Sequence, residues 1–79
     1  MYVVECSDGT LYCGITNSLD IRMKTHNLGK GAKYTRSRLP VRLRAFWPHE
    51  DRSTASKAEY AFKQLSRAEK LRRIEENNG

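Results

Sequence analysis

Five side chains in this 79-residue chain are of the types that phosphodiester chemistry uses, and they follow one another in a suggestive order. Tyr2 and Tyr12 lie ten residues apart, Arg22 and His26 four apart, and Glu59 stands alone much further on. A phenol, a guanidinium, an imidazole and a lone carboxylate together make up the kit for metal-assisted cleavage of a phosphodiester. Each residue taken singly also has an ordinary reading. Strand tyrosines usually serve as cross-strand packing pairs. A histidine near a helix C-terminus complements the dipole. Lys63, four residues after Glu59, offers a plain surface ion pair. It is the order and the joint occurrence that favour chemistry.

The elements that would position these groups can be read from local pattern. Residues 1–6 form a strand rich in β-branched and aromatic side chains, Ser7-Asp8-Gly9 signals a turn, and Leu11–Ile15 returns. The loop length decides whether the tyrosines meet. With a two-residue Asp8-Gly9 turn, Tyr2 and Tyr12 fall on opposite faces; with a three-residue loop, Cys6 faces Thr10 and both tyrosines share a face. Asp8 followed by Gly9 suits a type I turn with a G1 bulge, so the three-residue loop is expected. That register also separates Cys6 from Cys13.

Asn17 is expected to cap a helix running from about Ser18 to Asn27 or Leu28 and stopping at Gly29, which puts Arg22 and His26 on one face at the edge of a Leu19–Met23 stripe. Residues 29–40 read as a basic loop. Val41–Trp47 alternates as a third strand with one basic face, and Pro48 ends it. Ser53 is expected to cap a second helix with Ala55, Ala58, Phe62 and Leu65 on one stripe. Glu59 lies about 40° from Ala55 and about 60° from Phe62 on that wheel, so a carboxylate flanks buried surface and wants a cation, either a side chain or a metal. Ser66-Arg67-Ala68-Glu69 is a capping box that opens a third helix packed through Leu71 and Ile74. The expectation is one α+β domain over residues 1–79, a three-stranded antiparallel sheet flanked by helices in the order ββαβαα, with residues 76–79 frayed.

The charge is +6, from 15 Lys and Arg against 9 Asp and Glu. Ile21 to His49 carries eight basic residues, Arg22, Lys24, Lys30, Lys33, Arg36, Arg38, Arg42 and Arg44, and no acid. Such a stretch fits a polyanion, nucleic acid before an acidic membrane surface. Lys24, Lys30, Lys33, Arg36, Arg38 and Lys63 are the candidate nucleic-acid-binding residues. No apolar run is long enough to span a bilayer, and no signal peptide precedes the first strand. Two cysteines are too few for a disulfide framework and lack metal-ligand spacing, so free thiols in a reducing cytoplasm are expected.

Tyr2-Val3-Val4, then Tyr12-Cys13-Gly14-Ile15-Thr16, then Arg22-x-x-x-His26 and a distant Glu59 resemble the GIY-YIG nuclease superfamily. The patches Ser7–Thr16, Gly29–Thr35 and Lys63–Lys70 are similar to its small stand-alone bacterial members, and together they span nearly the whole chain. Only Met1 precedes Tyr2, so the glycine and apolar residue of the first motif are not matched. The late asparagine of the family is not carried over to Asn77 or Asn78. The resemblance implies a divalent-metal-dependent DNA endonuclease. Glu59 would be the single protein ligand of one Mg²⁺ or Mn²⁺ ion, and Arg22 would hold the non-bridging oxygens. Tyr2, Tyr12 or His26 would orient or deprotonate the water, the choice among them staying open. As a departure from the family pattern no appended DNA-targeting domain is expected; a monomer is expected, with a protein partner as the candidate source of targeting and RNA as the other candidate substrate. The alternative is a nucleic-acid-binding module that keeps the fold and does not turn over.

Overall fold

In the computed structural model, residues 1–78 are described, and their elements run β1 (Tyr2–Glu5), β2 (Leu11–Gly14), α1 (Leu19–Asn27), α2 (Lys33–Arg36), β3 (Arg42–Phe46), α3 (Arg52–Lys63) and α4 (Arg67–Asn78). The sheet is antiparallel in the order β2-β1-β3. The α+β architecture matches the expectation, with the short helix α2 added inside the basic loop 29–40.

The hairpin has the three-residue loop. Tyr2 pairs with Gly14, Val4 with Tyr12 and Glu5 with Leu11, Cys6 N donates to Thr10 O at 2.8 Å, and Gly9 takes φ +84°. Gly9 N donates back to Cys6 O, closing the turn. Tyr2 and Tyr12 therefore lie on one face of the sheet, and Cys6 and Cys13, both buried and free, on opposite faces.

Two cores follow from this alternation. Tyr2, Val4, Cys6 and Val41 are buried beneath α1 and the segment after it, with Leu19, Met23 and Leu39 packed around them. Met1, Val3, Cys13 and Ala45 are buried on the other face against Phe62 of α3 and Ile74 of α4. The expected alternation of the third strand does not hold throughout. A bulge at Arg44 shifts the pairing from Val3–Ala45 to Val4–Leu43, so Val41 joins the Tyr2 face while Ala45 and Trp47 face α3 and α4. Leu43 is left exposed.

Helix termini refine three expectations. Ser18, not Asn17, is the N-cap of α1, and its side chain makes no capping bond. At the other end Gly29 has φ +77°, with Gly29 N donating to His26 O and Lys30 N to Thr25 O, a Schellman closure at the predicted stop. Asp51, not Ser53, caps α3: it accepts from Thr54 N at 2.8 Å, and the Thr54 hydroxyl returns to the Asp51 backbone. The Ser66–Glu69 capping box forms as expected. Of residues 76–79, expected to fray, Gly79 lies outside the described residues and 76–78 are the last turn of α4, where Asn77 Nδ2 donates to Phe46 O at 3.1 Å and Oδ1 accepts from Phe46 N along the open edge of β3.

Candidate active site

Tyr2 reaches the site from the central strand and has no solvent exposure. Its ring fits because Gly14 stands directly across from it. A Cβ at that position would come within 2.6 Å of the Tyr2 hydroxyl. The helix α1 then brings two partners to this one phenol. Arg22 Nε donates to Tyr2 Oη at 3.2 Å, and His26 Nε2 lies 2.9 Å from it. Sharing a helical face four residues apart is what lets both reach the same oxygen. His26, expected at the edge of the stripe, is wholly buried.

Behind His26, Nδ1 is 2.9 Å from Thr35 Oγ1, and the Thr35 hydroxyl donates to Ala32 O at 2.9 Å. Gly31 lies flat against the imidazole; a Cβ there would collide with the ring itself. Tyr12 sits beside the cluster, half-buried, its ring edge-on to His26 and stacked at 5.9 Å on Tyr34. The Arg22 charge acts on both phenols, on Tyr2 more strongly than on Tyr12. Tyr2, Tyr12, Arg22 and His26, drawn from β1, β2 and α1, thus form one cluster.

Their titration follows from this packing. Burial raises the Tyr2 pKa, opposed by the hydrogen bond and charge of Arg22. Burial, with the Arg22 charge, lowers the His26 pKa, so the ring is neutral at pH 7. The hydrogen bond to Tyr2 holds the Arg22 proton still more firmly than usual.

Glu59 enters from the other side of the sheet. Its carboxylate is one-quarter exposed, and its ion-pair partner among the described residues is Lys63, with Nζ 3.8 Å from Oε2. It makes no hydrogen bond to Tyr2, Tyr12, Arg22 or His26, so the ordinary pairing with Lys63 coexists with any further role. Its place along α3 is nevertheless informative. Ala55, one turn before it, lines a hollow of about 470 Å³ together with Arg22, Thr16 and His49. Lys63, one turn after it, lines a second hollow of about 290 Å³ together with Tyr12 and Tyr34. Glu59 therefore lies between two concavities that each hold a member of the cluster, alongside the edge strand β2. Its charge and burial together push the Cys13 thiol up to about 11, burial being the larger cause.

Among the described residues no three His, Cys, Asp or Glu converge on a point, which excludes a closed structural metal cage there. One partly exposed carboxylate whose ion-pair partner among the described residues stands beyond hydrogen-bond length suits a different site. It is the arrangement in which Mg²⁺ keeps several waters and takes one carboxylate plus a substrate phosphate. The residues present fit such an ion.

Fewer side chains of the basic run are free than its count suggested. Arg38 pairs with Asp8 at 3.1 Å and lies over the Tyr34 ring, and Arg42 and Arg44 both pair with Glu5. Lys63 is engaged by Glu59. Lys24, Lys30, Lys33 and Arg36 are exposed with no ion-pair partner among the described residues. Thr35, Ala32 and Gly31 were missed as site residues. Ala32 preceding Thr35 by three is the spacing of a single helical turn, but nothing local signals that the turn closes on an imidazole.

A sheet that carries two tyrosines to one phenol–imidazole–guanidinium cluster, with a glutamate on the following long helix, defines a nuclease-type domain. The GIY-YIG catalytic domain model matches residues 1–72, and the chain belongs to the GIY-YIG family. Within it the chain is similar to the small stand-alone UPF0213 proteins. It is 62% identical over 69 residues to a UPF0213 protein of Bacillus cereus, covering 87% of this chain and 72% of that one. It is 52% identical over 77 residues to UPF0213 protein SAG0778 of Streptococcus agalactiae, covering 98% and 88%. The solution NMR structure of the UPF0213 protein BH0048 from Bacillus halodurans superposes with a TM-score of 0.64 at 45% identity, over 99% of this chain and 83% of that one. Among the described residues no helix is long and apolar enough to cross a membrane.

Proposed function

We propose that the chain is a divalent-metal-dependent endonuclease that hydrolyses phosphodiester bonds in DNA, acting on nicked, branched or single-stranded structures of the repair or recombination type. The observation that supports this most is the convergence of Arg22 and His26 on the Tyr2 hydroxyl, with Tyr12 beside them and Glu59 between the two adjoining hollows. The hydrogen bond to Tyr2 favours the charged form of Arg22 and leaves a fixed guanidinium at the edge of a hollow, where a phosphate oxygen could meet it.

Arg22 would hold the non-bridging oxygens of the scissile phosphate from within its hollow. Of the three candidate bases, Tyr12 alone reaches solvent, so it is the one to orient and deprotonate the attacking water, while Tyr2 and His26 stay buried behind Arg22. Glu59 would hold one Mg²⁺ or Mn²⁺ ion, which when bound supplies charge at the phosphate and leaving oxygen. Lys24, Lys30, Lys33 and Arg36 would contact flanking phosphates without reading sequence. The protein would act as a monomer in a reducing cytoplasm, where Cys6 and Cys13 stay as thiols, with targeting supplied by another protein.

Incubation with supercoiled, nicked and branched DNA in Mg²⁺ tests this. Cleavage is expected, with loss in Glu59→Ala and Arg22→Ala; no cleavage with any divalent ion would sink it. One observation favours a second reading, a binding module that does not turn over: the Glu59–Lys63 pair makes no hydrogen bond to the cluster. In that case Glu59→Ala leaves DNA affinity intact and divalent ions change nothing.

A further inference from the structure

We infer that Thr35, through its hydrogen bond to Ala32, fixes the tautomer of His26 and thereby orients Arg22 through the Tyr2 hydroxyl, making Thr35 a positioning residue of the site. The inference rests on the nuclease reading for its catalytic consequence, but not for its chemistry.

The direction of every hydrogen bond in the chain Arg22–Tyr2–His26–Thr35–Ala32 is determined by its two ends. At one end Arg22 Nε only donates, so Tyr2 Oη must accept there. The buried phenolic proton then has a single acceptor within reach, His26 Nε2 at 2.9 Å. Nε2 must therefore carry no proton, and a neutral imidazole carries it on Nδ1. At the other end a carbonyl only accepts, and the Thr35 hydroxyl has one proton, which it gives to Ala32 O. Thr35 Oγ1 is thus left to accept from His26 Nδ1–H at 2.9 Å. Both ends favour the same tautomer, and without the Thr35 acceptor the Nδ1–H form would bury an unsatisfied donor and lose its advantage. The reverse order, Thr35 donating to Nδ1 and Nε2–H donating to Tyr2, strands the phenolic proton in the core opposite a guanidinium.

The surroundings enforce this chain. Tyr2, His26 and Thr35 have no solvent exposure, so water cannot replace a lost partner without a rearrangement. Gly31 packs its backbone onto the imidazole, and no buried side-chain nitrogen or oxygen lacks a partner among the described residues. The consequence reaches Arg22. With its proton committed to His26, Tyr2 turns a lone pair to Arg22 Nε and holds the guanidinium at the hollow it shares with Thr16 and His49. Thr35 itself touches no substrate.

Long-range ¹H–¹⁵N correlation of the His26 ring near pH 7.5 reads the tautomer directly, and exchange of the Arg22 Nε–H reads its anchoring. The wild type is expected in the Nδ1–H form with a slowly exchanging Arg22 Nε–H. Thr35→Val, nearly isosteric but without the hydroxyl, should lose the pure Nδ1–H signature and speed Arg22 exchange at least tenfold; Thr35→Ser should restore both. On the nuclease reading, cleavage by Thr35→Val should drop at least tenfold in kcat with KM nearly unchanged, and recover in Thr35→Ser. A wild-type ring in the Nε2–H form overturns the inference, even if the valine variant fails to fold. So does a folded Thr35→Val with unchanged tautomer or unchanged Arg22 exchange. If the wild type cleaves nothing, the nuclease reading falls while the two NMR readouts still decide this one.

Discussion

Gly14→Ala should be far more damaging than a one-carbon change at a non-strained position has any general reason to be. Gly14 does not have positive φ, so alanine meets no backbone penalty there. By itself the reduced freedom of the unfolded chain would favour alanine by about 0.4–1 kcal/mol. Against this, the new methyl would stand 2.6 Å from the Tyr2 hydroxyl oxygen, 2.8 Å from Cζ and 3.0 Å from Cε1. The Tyr2 ring is fully buried and cannot swing into solvent. Overpacking of this kind costs about 1–3 kcal/mol. Moving the hydroxyl away from His26 and Arg22 costs about another 1–3 kcal/mol, because the partners are left buried and unsatisfied. The net expectation is a loss of about 2–4 kcal/mol, a fall in Tm of roughly 10–25 °C for a domain of this size. Urea and thermal denaturation followed by circular dichroism measure it. Adding Tyr2→Phe removes the shortest contact, so the double variant should be less destabilised than the sum of the singles by about 1 kcal/mol. A Gly14→Ala protein within ~0.5 kcal/mol of wild type, or strict additivity with Tyr2→Phe, would refute the close packing from which the site is built.

Other expectations follow from the same contacts. Glu59→Ala should abolish metal-dependent cleavage yet stay within about 1 kcal/mol of wild-type stability, since an i,i+4 pair to Lys63 contributes only ~0.3–0.5 kcal/mol; a large stability loss in denaturant melts would make Glu59 structural. His26 titrates below its ordinary pKa of 6.5 because it is buried and faces Arg22. Its unfolded form therefore takes a proton that the folded form refuses as pH falls below about 6.5, and stability drops from there downward while staying flat above. An NMR midpoint for His26 at or above 6.5 would contradict this. Asn77→Ala should cost about 1–2 kcal/mol by removing both bonds to the Phe46 backbone, and a loss under ~0.3 kcal/mol would mean that the last turn of α4 does not hold the β3 edge. DNA affinity should fall steeply with salt, and Lys33→Ala should reduce the log–log slope by about one, an unchanged slope placing the phosphates elsewhere.

The hairpin was legible in the sequence because its determinants are local: Asp8 and Gly9 set the loop, the loop sets the parity, and parity alone puts both tyrosines on one face. The α1 stop and the Ser66–Glu69 box were legible for the same reason. The cap of α3 was less so, since Asp51 and Ser53 are both good capping residues two apart, and Thr54 settles the matter by answering Asp51 reciprocally. The Arg44 bulge left no trace in an alternation that looked regular. Three arginines read as free charge turned out to be matched to Glu5 and Asp8, acids that precede them by thirty or more residues. The burial of His26 and its tie to Thr35 depend on how the segment after α1 folds back, which no periodicity encodes. For Glu59 the helical wheel put a carboxylate beside the stripe of α3, but only the packing of α3 shows that this helix covers the face of the sheet opposite to Tyr2.

On the proposed function, Glu59 and the Tyr12–Arg22 cluster act as one metal-dependent site although they belong to opposite faces of the sheet. Titration of the labelled protein with Mn²⁺ while following paramagnetic broadening tests it most directly. Glu59, Tyr12 and the Arg22 Nε–H should broaden together at substoichiometric ion, and Glu59→Ala should abolish the effect at all three. Broadening at Glu59 that spares Tyr12 and Arg22, or broadening of the cluster that survives Glu59→Ala, would contradict it.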